Sequence, residues 1–196
     1  MTHSKKIVTC LLVSVALAGC SSNDDVVTGN YTSFAEIDAD ATAMQSKYTD
    51  ANGDLLAGVV RASPSDIPAS GTATYNGFVG GDVAGSDLVG ELTVEADIGA
   101  STLTSTATGF FHETDGAYSG TLSGNGILTT TSPMGVPQVS TSLDGTLSNG
   151  GTDYTTAIAL EGDLVSDGTD PAGAMAGVAD GFVGSDFFTG VFVAEK

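Results

Sequence analysis

The residues best suited to acid–base or metal chemistry are grouped around His112. Glu113 follows it directly, and Asp115 lies three positions further on. An imidazole beside carboxylates can act as a general base, and it can also bind a metal ion or a haem iron. The same residues enter the turn Thr114-Asp115-Gly116, where polar side chains gather for structural reasons. The turn is the favoured interpretation, and we predict no catalytic residue here.

Other patterns for site chemistry are incomplete. Asp50-x-Asn52-Gly53-Asp54 resembles the start of a calcium-binding EF-hand loop. Leu55 stands where that loop needs glycine, and Arg61 stands where it needs a bidentate glutamate. The chain also lacks the G-x-S-x-G turn that presents a nucleophilic serine. The sequence therefore predicts a protein that is not an enzyme, with no cofactor and no metal site.

Cys20 is the last residue of an amino-terminal segment whose residue order is typical of a targeting signal. Lys5 and Lys6 precede an apolar stretch at 7–16, and small residues follow it. This order is that of a secretory signal peptide. The apolar stretch is too short to span a bilayer as a permanent helix. The last four residues, Leu17-Ala18-Gly19-Cys20, resemble the lipobox of bacterial lipoproteins.

This resemblance implies that residues 1–19 are removed and that Cys20 is acylated. Each buried methylene contributes roughly 0.8 kcal/mol, so two or three acyl chains anchor a protein almost irreversibly. Ser21 follows the cysteine, where an aspartate would favour retention in the inner membrane. The resemblance thus implies an outer-membrane lipoprotein in the cell envelope, facing the periplasm or the cell surface. Residues 20–32 are interpreted as a lipidated, flexible tether.

The composition of the processed chain excludes nucleic-acid partners and any structure that needs free cysteine thiols. It keeps Lys47, Arg61 and Lys196 against all 24 acidic residues. Nucleic acids are excluded as partners because their binding needs clustered basic side chains. Cys10 leaves with the signal peptide and Cys20 is acylated, so a disulfide and a zinc–thiolate site are also excluded.

One short helix is predicted between the tether and the main domain. Phe34, Ile37, Met44 and Tyr48 recur at spacings that place them on one helix face. Ser33 and Glu36 form a capping-box pattern, which marks a helix start. We predict a helix over about 34–47, within a helix and connecting segment that spans 33–66.

Residues 67–196 are predicted to form a single antiparallel domain of about eight strands. Leu88, Leu92 and Val94 alternate with polar neighbours such as Glu91 and Glu95, which is the period of a strand with one buried face. Runs of this kind lie near 72–80, 88–98, 101–111, 116–130, 138–148, 152–165, 172–183 and 187–195.

Closure of this sheet into an up-and-down β-barrel is the favoured architecture. Short turns such as Gly99-Ala100 and Gly184-Ser185-Asp186 force neighbouring strands to be antiparallel. Closing the sheet removes its edges, and eight strands enclose an interior that side chains can fill. A two-sheet sandwich is the alternative that the pattern leaves open.

Several segments resemble the β-barrel lobe of transferrin-binding protein B-like surface lipoproteins. The segment from Ile67 to Gly77, with its G-x-A-x-Y-x-G pattern, is similar to the opening strand of that lobe. Ala96-Asp97-Ile98-Gly99 is similar to the end of its second strand. Gly181-Phe182-Val183-Gly184 and Thr189-Gly190-Val191-Phe192 resemble its closing hairpin. The resemblance implies an eight-stranded barrel on a lipidated protein that binds a protein or haem-related partner.

Phe187, Phe188 and Asp186 are the candidate contact residues for such a partner. Adjacent residues of a strand point to opposite faces, so only one of the two phenylalanines can enter the core. Phe78 and Phe182, which share a Gly-Phe-Val-Gly motif, are predicted to pack together at one rim. The predicted function is partner binding by a lipid-anchored surface protein. The alternative is a non-catalytic envelope protein whose acidic barrel is a spacer or coat.

Overall fold

Alternating apolar and polar residues produce nine β-strands in the computed structural model, which describes residues 31–130 and 138–196. The strands are β1 (Thr72–Val83), β2 (Ser86–Asp97), β3 (Thr102–His112), β4 (Gly116–Ala117), β5 (Leu122–Thr129), β6 (Gln138–Asn149), β7 (Thr152–Val165), β8 (Ala174–Val183) and β9 (Asp186–Glu195).

Eight of these strands close into an antiparallel barrel. Each pairs with its neighbour in the chain, except that β3 pairs with β5, and β9 pairs back onto β1 through partners such as Val79 and Phe192. The closing β1–β9 pairing confirms the predicted barrel and rules out the sandwich. The two-residue β4 pairs only with the end of β3 and lies outside the ring.

The single strand predicted over 116–130 is wrong, because the chain divides there into β4 and β5. Gly120 lies between them with a φ of 128°, a conformation that interrupts a strand and favours glycine. A Cβ at this position would also collide with the carbonyl oxygen of Thr146. Period-two alternation continues through the interruption, so the pattern alone does not reveal it.

The barrel interior is filled by apolar side chains. On β2, Leu88, Leu92 and Val94 are buried, while Glu95 and Asp97 are exposed, as the alternation predicts. Other large interior side chains are Leu103, Phe110, Leu122, Leu143, Leu147, Ile158, Leu160 and Phe192. Burial of each contributes about 1.5–3 kcal/mol, so this core is the main source of stability.

Both ends of the barrel are covered by residues of the same chain. At one end, Ala62 and Ala172 join the core, and Tyr75 donates a hydrogen bond of 3.0 Å to the carbonyl oxygen of Ala172. The other end carries the turns at 84–85, 113–115, 150–151 and 184–185, and we call it the hairpin end. There Tyr118 and Tyr154 pack against the core with ring centroids 5.6 Å apart.

Helix α1 (Phe34–Gln45) lies on the outer wall of the barrel, against β1, β2 and β9. Its Ile37 is fully buried against Phe78 and Val89, which point outward from the sheet. The helix ends two residues earlier than predicted. The predicted capping box is also not formed, since Ser33 makes no side-chain cap bond and Glu36 accepts hydrogen bonds from Thr32 instead.

The described residues contain no helix that combines the length and the apolar character needed to cross a membrane. The predicted signal peptide at 1–19, the lipobox and acylation site Leu17-Ala18-Gly19-Cys20, and most of the tether at 20–32 lie outside the described residues.

Candidate binding surface

An aromatic pair, Phe182 and Phe187, stands exposed on the outer wall at the hairpin end. The two residues are direct cross-strand partners on β8 and β9. Phe187 is 84% exposed and Phe182 is 44% exposed. Phe187 is the most exposed of the large apolar side chains in the described ranges 31–130 and 138–196. The aromatic pair is therefore an apolar surface that residues 31–130 and 138–196 leave uncovered.

The adjacent residues Phe187 and Phe188, both candidate contacts from the sequence, point to opposite faces of β9. Phe188 points into the barrel and is 1% exposed, whereas Phe187 points outward. Asp186 is exposed at the start of β9, beside the Gly184–Ser185 turn. Of the three candidate contact residues, Phe187 and Asp186 are thus accessible to a partner, and Phe188 belongs to the core.

The two Gly-Phe-Val-Gly motifs lie on the same wall, but their phenylalanines do not pack together. Phe78 is in the middle of β1, where α1 covers it. Phe182 is at the end of β8, and its neighbour across the strands is Phe187. The prediction of one shared rim is wrong because outward-pointing residues of β1 and β8 are separated by the intervening strand β9. The sequence did not indicate that α1 covers the phenylalanine of the first motif, Phe78, while Phe182 of the second motif is exposed.

A groove between α1 and the sheet continues from the aromatic pair along β9. It has a volume of about 310 Å³, and we call it the helix groove. Gly80, Gly81 and Gly190 are among its lining residues, and the side chain of Val89 lies next to Gly80. The remaining lining is apolar, from Phe78, Val89, Val191 and Val193, and polar, from Asp38, Thr42, Gln45, Asp82, Asp87 and Thr189.

Three carboxylates face this groove from three elements: Asp38 from α1, Asp82 from β1 and Asp87 from β2. Partial burial raises the pKa of Asp87 above its ordinary value, and the negative charges of Asp38, Glu113 and Asp82 raise it further. His112 acts in the opposite direction. The carboxylate of Asp87 is therefore repelled by its acidic neighbours.

The lysine and arginine side chains of the described residues are all paired with carboxylates that do not line the groove. Lys47 lies 3.1 Å from Glu195. Arg61 lies 2.7 Å from Asp163, and Lys196 lies 2.8 Å from Asp170 at the far end of the barrel. Within the described part of the chain, no lysine or arginine thus neutralises Asp38, Asp82 or Asp87.

His112 occupies the turn that the sequence indicates. It is 8% exposed, and its Nδ1 accepts the backbone N–H of Asp115 at 3.3 Å. The hydroxyl of Thr114 lies 3.2 Å from the same nitrogen, and the ring packs edge-on against Tyr118. Across residues 31–130 and 138–196, no three or more histidine, cysteine or acidic side chains are grouped as metal ligands. The surroundings of His112 are those of a structural turn.

Comparison with known proteins identifies no family for this chain. No protein-family model matches it, and no curated protein matches it either.

Proposed function

We propose that this protein is a lipid-anchored outer-membrane or cell-surface lipoprotein that binds a protein partner through the aromatic pair. The lipobox pattern Leu17-Ala18-Gly19-Cys20 supports the anchor. The observation that carries the binding role is the exposure of Phe182 and Phe187, two aromatic residues that are direct cross-strand partners on the outer wall.

Exposed aromatic side chains are effective contacts because they bury a large apolar area at a low cost in conformational entropy. The adjoining residues favour a basic partner. Asp186 precedes Phe187 on β9, and Asp180 lies two residues before Phe182 on the same outward face of β8. A partner with an apolar centre and a rim of lysine or arginine would complement this surface, and added salt would weaken the complex.

The spacer or coat function is the second candidate. It is supported by the filled barrel interior and by an excess of acidic residues that extends over the whole chain. A highly charged wall keeps a protein soluble and separated from its neighbours without any specific contact.

The test uses the full lipidated protein and compares Phe187→Ala with Ile127→Ala. Ile127 is 57% exposed and lies on β5, near the end of the barrel opposite the hairpin end, so it is a matched apolar control. We expect wild type and Ile127→Ala to retain a partner from the native envelope and Phe187→Ala to lose it. A partner that binds Phe187→Ala with unchanged affinity would favour the spacer function.

A further inference from the structure

The aromatic pair and the helix groove form one continuous path on the outer wall. Phe187, Thr189 and Val191 point outward in succession along β9, and the last two line the groove. Four residues of strand separate Phe187 from Val191, which corresponds to about 13 Å. A partner segment that covers Phe187 can therefore reach the groove within a few residues.

The groove suits a side chain with an apolar stem and a cationic end. Gly80, Gly81 and Gly190 line part of it and bring no side chains of their own. Val191, a half-buried residue of the groove wall, provides apolar contact for a stem. A lysine side chain has this shape, with four methylenes that pack on apolar surface and an ammonium group that stays near carboxylates.

Charge complementarity indicates the same occupant. Asp38, Asp82 and Asp87 face the groove from different elements, and the lysine and arginine side chains of the described residues pair with other carboxylates. A cation placed beside these carboxylates would relieve the repulsion on Asp87 and would form new ion pairs. An anionic or neutral polar occupant would gain neither effect.

We propose that the helix groove receives a lysine side chain of the partner that covers Phe187. This inference rests on the proposed function and adds to it the chemistry of the partner. The partner segment carries an apolar residue for the aromatic pair and a lysine about four residues away when the segment is extended.

The test measures binding of n-butylammonium, which is the lysine side chain without its backbone. The lipidated protein in detergent micelles is titrated while the amide NMR signals of Gly80, Gly81 and Gly190 are followed. n-Butanol with equal added sodium chloride is the neutral control. We expect saturable shifts with n-butylammonium and none of comparable size with n-butanol.

Matched variants locate the cation. Asp38→Asn and Asp87→Asn should each weaken n-butylammonium binding about threefold, the size expected for one partly exposed ion pair. Glu161→Gln removes a carboxylate from the exposed face of β7 and should leave binding unchanged. Equal shifts with n-butanol, or equal loss in Glu161→Gln, would overturn the inference.

Failure of the lysine site can be distinguished from failure of the proposed partner binding at Phe187. Phe187→Ala should abolish partner binding and leave n-butylammonium binding intact, because Phe187 does not line the groove. If Phe187→Ala loses the partner but Asp87→Asn retains it with unchanged affinity, the surface function stands and the lysine site is refuted.

Discussion

At the scale of single residues, Cys20, Phe188 and Phe187 have three different proposed roles: membrane anchor, core residue and partner contact. Cys20 is the proposed anchor. Replacing Cys20 with alanine should leave unprocessed precursor and abolish incorporation of labelled palmitate, because the acylated thiol is absent. Palmitate labelling that persists in Cys20→Ala would contradict the lipidation proposal.

The adjacent residues Phe187 and Phe188 should respond oppositely to truncation. Phe188→Ala removes a fully buried ring and should lower the free energy of unfolding by about 3–5 kcal/mol. Phe187→Ala removes an exposed ring and should change it by less than about 0.5 kcal/mol. Denaturant titration of the two variants measures the difference, and equal losses would mean that Phe187 is also packed.

Asp87 should give a pH-dependent contribution to stability. Its pKa is raised in the folded state by burial and by Asp38, Glu113 and Asp82, while His112 lowers it. The folded state thus disfavours the ionised carboxylate, and the resulting destabilisation is present at neutral pH and disappears as the pH falls through that raised pKa.

Asp87→Asn should therefore raise the Tm at neutral pH, and this gain should shrink toward zero below the ordinary carboxyl pKa of about 4. Glu161→Gln is the control for a carboxylate outside the groove. If Asp87→Asn raises the Tm equally at neutral pH and below about pH 4, repulsion between ionised carboxylates is not the cause of the gain.

At the scale of elements, α1 covers an outer wall that the barrel could otherwise expose. The helix packs on Phe78 and Val89, and the buried cluster that fills the barrel interior contains no residue of the helix. A chain of residues 55–196 should therefore still form the closed ring. Its Tm should be lower, because Phe78 and Val89 lose the cover of α1 and the outer cluster around Val193 loses Tyr48. Circular dichroism should show mainly strand and a cooperative melt, and a disordered spectrum would mean that α1 is needed for closure.

Period-two alternation and short turns predict most of the strands and their antiparallel order, and they favour an eight-stranded closure without excluding a sandwich; the β1–β9 pairing decides between the two. The interruption at Gly120 was not predictable, because it depends on contact with Thr146 on another strand. The site was predictable only in part. Alternation shows that Phe187 and Phe188 diverge, but which one enters the core depends on the register of β9 against β8.

The helix groove could not be predicted at all from the sequence. Asp82 and Asp87 are cross-strand partners in the β1–β2 hairpin, but Asp38 joins them only when α1 packs across these strands. A pattern within one element carries no information on how that element lies on another.

At the scale of the whole molecule, a filled and closed barrel offers its outer wall, and not its interior, for recognition. That wall is strongly acidic, and α1 covers one of its two outward Gly-Phe-Val-Gly phenylalanines. The other phenylalanine, Phe182, and its cross-strand partner Phe187 are exposed, so the proposed binding surface lies at the hairpin end.

Photo-crosslinking on living cells tests this central claim most directly. A benzophenone amino acid is introduced in place of Phe187 in the full lipidated chain, and in place of Ile127 in a matched control. The account predicts a discrete crosslinked species from position 187 and none from position 127, since only the first lies at the proposed contact. No species from position 187, or the same species from both positions, would contradict it.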